Sequence, residues 1–135
     1  MEKEFAPYDL VLRMKALGFN ESCFGYYDIY DDILRLTIGD EVTIYNCVTN
    51  RFENTGIKNY NSIIPYCSAP TFSQAFRWFR KEYKLSVSIS LISQDYFYEI
   101  RRDGEQFIDK PDSYNTYEEA ELVCLQELIE IVEVR

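Results

Sequence analysis

Apolar and polar residues alternate strictly over residues 86–91 (SVSISL), which predicts a strand whose valine, isoleucine and leucine face inward. Residues 95–102 form a second predicted strand. The Asp103-Gly104 pair predicts a tight hairpin turn, after which residues 105–109 return as a short third strand. This part of the chain therefore predicts a three-stranded antiparallel sheet.

The polar positions of these strands share one face of the predicted sheet. Small hydroxyl groups stand there beside an aromatic ring and two charged side chains: Ser86, Ser88, Ser90, Phe97, Glu99 and Arg101. Such a face fits a docking surface, a surface packed under a partner subunit, or an ordinary solvated surface. The sequence leaves these three interpretations open.

A first helix is predicted by the helical spacing of Leu10 and Met14. Pro7 suits its first position, where the missing N–H group costs nothing. Gly18 can adopt the left-handed conformation that ends a helix, and Phe19 follows it to pack back on the helix end. The sequence therefore predicts both where this helix begins and where it ends.

Two further helices each open with a capping box, a threonine followed three residues later by glutamine or glutamate. Thr71 opens a helix to about Lys84, and Thr116 opens one to about Val132. The last helix has a broad apolar arc, which predicts contact with both a sheet and a second helix. Its members are Tyr117, Ala120, Cys124, Leu125, Leu128, Ile129, Ile131 and Val132.

Three short runs predict a first meander of strands, over Cys23–Tyr30, Ile33–Ile38 and Val42–Cys47, with turns at Asp31-Asp32 and Gly39-Asp40. Carboxylates cluster around these turns and could hold Mg²⁺ or Ca²⁺. The same residue pairs are ordinary turn formers, and their spacing is not that of an EF-hand. The cluster consists of Asp28, Asp31, Asp32, Asp40 and Glu41.

Residues 48–70 have the poorest pattern, because asparagines, a glycine and two prolines interrupt the apolar runs. Within them Ser62–Cys67 predicts a short edge strand, since Pro65 is tolerated at an edge. The predicted fold is α+β, with three helices and two three-stranded antiparallel meanders in the order αβββ-αβββ-α. The two meanders could join into one sheet. We predict a single domain over residues 1–135, with sub-units of about 1–47 and 71–135 joined by the irregular segment 48–70.

The charge balance bears on the partner. The 135 residues carry a net charge of −9, and 12 of them are tyrosine. An acidic surface repels phosphate backbones at long range, so composition disfavours nucleic acid as a general partner. Tyrosine is enriched at protein interfaces. These features favour another protein, or a second copy of the chain, as the partner.

Cysteine usage and the absence of histidine bear on metal binding and location. The four cysteines lie far apart without a CxxC pair, and the chain has no histidine, so we expect no zinc site. The opening MEKEFAPYD is too acidic for a signal peptide. No apolar run approaches the ~18 residues of a membrane span. We therefore expect a cytoplasmic protein with reduced, buried thiols and no membrane contact.

The most basic stretch, FRWFRKEYK (76–84), lies in the predicted second helix. At about 100° per residue, the core face of this helix consists of Phe72, Ala75, Phe76, Phe79 and Tyr83. Four cations share a flank roughly 130° away, and the tryptophan lies on the far side. We call these cations the basic flank: Arg77, Arg80, Lys81 and Lys84.

The basic flank and Trp78 have two interpretations. Together they could hold a phosphate, a nucleic-acid base or an acidic peptide. Alternatively, the flank is a solvated face whose charges pair with the protein's own carboxylates, and Trp78 is covered by the N-terminal half of the chain. The candidate binding residues are therefore Arg77, Trp78, Arg80, Lys81 and Lys84.

No catalytic residues or cofactor are predicted. Without histidine, a serine or cysteine nucleophile lacks its usual base. The five glycines are scattered singly, so the sequence contains no glycine-rich phosphate loop. Carboxylates distant in sequence could still meet in the fold, which keeps an enzyme without histidine as an alternative.

Three segments together resemble a group of small uncharacterised proteins: LGFNESCFGYY (17–27), SAPTFSQAFRWFRKEYKLS (68–86) and NTYEEAELVCLQELIEIV (115–132). The group occurs in Bacteroides-type gut bacteria and in their phages and prophages. The resemblance is weakest over residues 28–67, and it transfers no functional residues. It implies an intracellular accessory protein of a mobile element or its host.

These observations lead to one main hypothesis of function, a non-catalytic protein-interaction or accessory factor of a phage, a prophage or the bacterial host. The first alternative is an anion or nucleic-acid binding module that uses the basic flank. The second is an enzyme without histidine.

Overall fold

The computed structural model describes residues 4–28, 33–36, 42–46, 51–55, 66–102, 105–109 and 112–134. These residues form three helices and antiparallel sheets, so the α+β class predicted from the sequence is confirmed. The chain divides into two compact units, Met1–Thr71 and Phe72–Arg135.

The first unit contains one helix and five short strands. They are α1 (Tyr8–Ala16), β1 (Gly25–Asp28), β2 (Leu34–Leu36), β3 (Val42–Asn46), β4 (Arg51–Thr55) and β5 (Tyr66–Ala69). Their antiparallel ladders form a three-stranded sheet of order β2-β1-β5 and a two-stranded sheet of β3 and β4.

Helix α1 ends as its sequence predicts. Gly18 has a left-handed φ of 101°, and its N–H donates to the carbonyl of Lys15 at 3.0 Å. The N–H of Phe19 donates to the carbonyl of Met14 at 3.0 Å, which completes a Schellman motif. At the other end Pro7 is the N-cap and not the first helical residue, a shift of one position.

The first unit contains two strand pairings that the predicted meander does not include. Strand β1 pairs with β2, as expected, but its other neighbour is β5. The predicted third strand of the meander is β3, and in the described residues it pairs with β4. The sequence does not predict this pairing, because β4 (RFENT) has one large apolar residue among polar ones and shows no strand pattern. The two predicted turns of the meander lie outside the described residues.

The segment 48–70, predicted to be irregular, contains two of these strands. Strand β4 was missed, and β5 corresponds to the short strand predicted over Ser62–Cys67, although it begins at Tyr66. Residues 62–65 lie outside the described residues. In the described sheet β5 is an edge strand, as predicted. The first compact unit, Met1–Thr71, includes both strands.

The core of the first unit lies between α1, the start of the chain and β1. Tyr27 is buried, its hydroxyl donates to the carbonyl of Ala6 at 2.9 Å, and its ring meets Tyr8 edge-on at 5.4 Å. Leu10 and Met14 of α1 are almost fully buried. Burial of this apolar stripe is the main source of stability for a helix of this length.

The second unit contains α2 (Phe72–Tyr83), β6 (Leu85–Ile92), β7 (Asp95–Arg102), β8 (Glu105–Asp109) and α3 (Tyr117–Glu133). The three strands form one antiparallel sheet in the order β6-β7-β8, with an irregularity between Ile100 and Arg101. The predicted bounds of β7 and β8 are confirmed, and β6 is one residue longer at each end. The predicted turn at Asp103-Gly104 lies outside the described residues.

The β6–β7 hairpin turns through two residues, Ser93 and Gln94, because Ile92 pairs with Asp95. Both turn residues have positive φ, 51° and 73°, which is the type I′ geometry that matches strand twist. Asparagine and glycine are the usual residues at these positions. The sequence therefore gave no clear signal of this turn.

Helix α3 has the capping box that the sequence predicts. The Thr116 hydroxyl accepts a hydrogen bond from the Glu119 N–H at 3.2 Å, and the Glu119 carboxylate accepts one from the Asn115 N–H at 3.3 Å. The helix contacts α2, β6 and β7, so the predicted contact with both a sheet and a helix is confirmed. Its predicted apolar arc is buried except for Tyr117, which is exposed because it lies in the first turn.

Candidate functional site

The buried face of α2 is rotated relative to the predicted one. Phe72, Ala75 and Phe79 are buried as predicted, but Phe76 and Tyr83 are half-buried and Trp78 is buried in addition. At about 100° per residue, this moves the centre of the buried arc by roughly 50° toward Trp78. The helix therefore packs on a face that the spacing of its phenylalanines alone does not identify.

Trp78 lies in the core and not on an open side of the helix. Its side chain is 4% exposed. Its ring meets Phe79 edge-on at a centroid distance of 4.9 Å and Tyr83 at 5.4 Å. Trp78 is therefore buried, while its coverage by the N-terminal half of the chain stays a prediction. The indole is thus not an exposed platform on which a base could stack beside the basic flank.

The basic flank is exposed, but its members do not form one continuous row. Arg77, Arg80 and Lys81 are exposed on α2. Lys84, predicted to lie on the same helix, follows the helix end with a left-handed φ of 60°. Among the described residues one ion pair involves the flank, Lys81 with Glu82 at 3.8 Å. Anion binding by this flank stays a prediction.

The polar face of the β6–β7 hairpin brings together the residues that the sequence places on one face. Ser86 pairs with Arg101, Ser88 with Glu99, and Ser90 with Phe97. We call this the outer face, and it consists of Ser86, Ser88, Ser90, Ile92, Asp95, Phe97, Glu99 and Arg101. Its three serines and Arg101 are exposed, and Phe97 is half-buried.

Two charges of the outer face, Glu99 and Arg101, are paired with each other. A guanidinium nitrogen of Arg101 donates to the Glu99 carboxylate at 2.8 Å. This hydrogen bond and the carboxylate charge raise the pKa of Arg101 above its ordinary value. The outer face therefore offers hydroxyl groups, Ile92, one aromatic ring, the Asp95 carboxylate and an ion pair, a composition suited to binding another protein.

The free end of the hairpin is apolar. Leu91 is 60% exposed and Ile92 is 57% exposed. Leu85, at the other end of the same strand, is fully buried. Single exposed apolar residues are common, but here two neighbouring residues end a strand that has no charged side chain. This end of β6 is therefore an exposed apolar stretch of strand.

A buried tyrosine lies between the sheet and α3. Tyr98 is 2% exposed, and its ring stacks on that of Tyr114 at 5.9 Å. Burial, followed by the nearby Tyr114 and Glu127, raises the pKa of Tyr98 far above its ordinary value. This hydroxyl therefore stays protonated in the folded protein and does not suit a general base.

The described cysteines are buried and free of disulfides, as predicted: Cys23, Cys67 and Cys124. Cys47 lies outside the described side chains. Burial raises the pKa of the Cys67 thiol to about 11, although the charge of Lys15 lowers it slightly. Burial, with Glu127 and Glu121, also raises the pKa of Cys124. Protonated, buried thiols are poor nucleophiles.

We expect the free energy of unfolding to decrease as the pH rises above about 9. Cys67 has a pKa of 9.0 ordinarily and about 11 when folded. An acid whose pKa is higher in the folded state than in the unfolded state stabilises the fold at pH values below its ordinary pKa. This stabilisation is lost as the pH rises to the folded-state pKa. Urea denaturation between pH 8 and pH 11 measures the loss. In Cys67→Ala the loss should be smaller, and an unchanged loss would contradict this assignment.

Of the five carboxylates in the predicted acidic cluster, only Asp28 lies among the described residues. Asp28 lies at the end of β1 with a carboxylate oxygen 4.0 Å from a guanidinium nitrogen of Arg35. The other four predicted members lie outside the described residues. In the part of the chain that the structure describes, no group of three or more cysteine, aspartate or glutamate side chains could hold a metal ion.

Among the described helices, none is both long enough and apolar enough to cross a membrane. Comparisons with protein-family models, with curated proteins and with solved structures found no match for the chain.

Proposed function

We propose that the protein is a non-catalytic protein-interaction factor that serves a phage, a prophage or its bacterial host in the cytoplasm. The outer face of the β6–β7 hairpin is the docking surface in this proposal. The observation that carries it is the exposed apolar end of the hairpin, Leu91 and Ile92, beside a polar face with a paired charge. The resemblance of three segments to phage and gut-bacterial proteins supports the setting.

The partner that fits this surface is another protein. The centre of a protein interface is depleted of unpaired charge, and its rim is polar. Ile92 and Phe97 provide apolar and aromatic contact area, while the serines and the Glu99–Arg101 pair provide hydrogen-bonding groups. Phosphate-rich partners would instead require unpaired cations.

The proposal is tested by affinity capture from the host lysate with three forms of the full chain. The first is the unaltered protein. The second is Ile92→Ser/Arg101→Glu, which changes two exposed residues of the outer face. The third is Val134→Ser/Lys81→Glu, a matched control with the same chemical changes at exposed positions elsewhere in the second unit.

We expect a partner that binds the unaltered protein and the control but is lost from the outer-face variant. Both variants should keep the stability of the unaltered protein, since exposed substitutions usually change the free energy of unfolding by less than about 0.5 kcal/mol. A partner lost from the control alone would support the basic flank instead. The absence of any partner, or equal capture by all three forms, would contradict the proposal.

A further inference from the structure

Strand β6 is an edge strand of the second unit's sheet. In the described residues its one strand neighbour is β7. Natural edge strands are commonly protected by charged residues, by proline or by bulges. Strand β6 has neither proline nor a charged residue, and its ladder with β7 is regular over all eight positions. Its outer row of backbone groups is therefore a ready template for a further strand.

The turn geometry shows which residues carry these outward backbone groups. In a two-residue hairpin the pair that closes the turn, here Ile92 with Asp95, is hydrogen-bonded. Hydrogen-bonded and non-hydrogen-bonded pairs then alternate along an antiparallel ladder. The backbone groups that point away from β7 therefore belong to Leu85, Val87, Ile89 and Leu91.

The sequence of β6 has a two-fold character. Residues 85–91 read LSVSISL, which is the same in both directions except that valine stands opposite isoleucine. Antiparallel pairing of two such strands about Ser88 places Leu85 opposite Leu91 and Val87 opposite Ile89. These are the residues whose backbone groups point outward, so the sequence symmetry and the backbone direction fit the same register.

We propose that a second copy of this chain pairs with β6, antiparallel and about a two-fold axis through Ser88. Such an interface is isologous, with the same strand contributed by each protomer. It joins the two three-stranded sheets into one continuous sheet and turns both outer faces to the same side. The inference concerns the edge of β6 and is independent of the partner proposed for the outer face.

The uneven burial of β6 shows where the two strands can meet. Leu85 is fully buried within its own protomer, so it offers no surface to a partner strand. Val87 and Ile89 are half-buried and Leu91 is exposed. The contact therefore centres on Val87 opposite the partner's Ile89, where burial of the remaining apolar surface favours association.

The test is site-directed disulfide formation in the full chain. Ser88 lies on the proposed axis, in a non-hydrogen-bonded pair, where Cα atoms are about 4.5 Å apart. That distance permits a disulfide. We expect Ser88→Cys to give a disulfide-linked dimer under mild oxidation, and light scattering of the unaltered protein to show a dimer that dissociates on dilution.

The matched controls are Ser86→Cys and Ser90→Cys, since all three serines are exposed on the same strand. In the proposed register each control alone holds its two thiols four residues apart along the strands, roughly 13 Å. A mixture of the two controls should cross-link, because Ser86 lies opposite the partner's Ser90. Equal cross-linking of all three single variants would overturn the proposal. So would a monomer at every concentration.

The two proposals can fail separately. If the protein is a dimer but the outer-face variant captures the same host proteins as the unaltered protein, the outer-face proposal fails. If the protein is a monomer that still binds a partner through the outer face, the proposal for the β6 edge fails.

Discussion

Replacing Trp78 by alanine is expected to lower the free energy of unfolding by about 3–5 kcal/mol, the usual cost of removing a large aromatic side chain from a core. The side chain is 4% exposed, and its ring packs edge-on against Phe79 and Tyr83. Such aromatic pairs add about 0.5–1.5 kcal/mol beyond the burial of area. Urea denaturation followed by circular dichroism measures the change without depending on the lost tryptophan.

The controls for this prediction lie on the same helix. Arg77 and Arg80 are exposed, so alanine at either position should change the free energy of unfolding by less than about 0.5 kcal/mol. If Trp78→Ala were as mild as these controls, the indole would be at the surface. The interpretation of Trp78 as part of a binding site would then be open again.

Replacing Gly25 by alanine is expected to lower the free energy of unfolding by about 1–3 kcal/mol, the usual cost of forcing extra volume into a packed site. Gly25 lies on β1, between β2 and β5. A Cβ atom there would come within 2.9 Å of Cε1 of Phe5 and 3.1 Å of the carbonyl oxygen of Ala69. Phe5 is itself buried, so its ring has little room to move. Thermal or urea denaturation measures the cost.

A second substitution distinguishes steric overlap from other effects of Gly25→Ala. Phe5→Leu removes the ring edge that the new Cβ would meet, so the cost of Gly25→Ala should be smaller in that background, and a double-mutant cycle measures the coupling. Gly18→Ala is the contrasting case, since its Cβ would meet nothing within 4 Å and its cost comes from a φ of 101°. Equal costs of Gly25→Ala in both backgrounds would contradict the predicted overlap.

The second unit was predictable from the sequence to a greater extent than the first. Its elements have local signals in the sequence: alternation in β6, the Asp103-Gly104 pair between β7 and β8, and a capping box and an apolar arc in α3. The register of Ser88 against Glu99 is set by the two-residue turn at Ser93 and Gln94, which has no clear signal in the sequence. Local patterns suffice where neighbours in sequence are neighbours in space.

The first unit shows where local patterns fail. Pairing of β1 with β5 joins Gly25 to Ala69, residues far apart in the sequence, and no local signal reports such a pairing. Strand β4 has a polar composition and was missed. Consecutive strands are usually neighbours, which is why β3 was assigned to the same sheet as β2.

The candidate site on α2 was predicted only in part, because some of its features depend on residues outside the helix. Exposure of Arg77 and Arg80 followed from helical periodicity, but burial of Trp78 depends on what packs against the side of α2, which the helix sequence does not contain. The symmetry of LSVSISL was present in the sequence from the start. It became informative only when the structure placed that stretch at the edge of a sheet.

The central claim is that the outer edge of β6 pairs with another strand in solution. Residue-resolved amide hydrogen exchange, measured at high and low protein concentration, tests it within a single strand. We expect the outward amides of Val87, Ile89 and Leu91 to be protected at high concentration and to lose that protection on dilution. The amides of Ser86, Ser88 and Ser90 face β7 and should stay protected at both. Rapid exchange of the three outward amides at every concentration would contradict the claim.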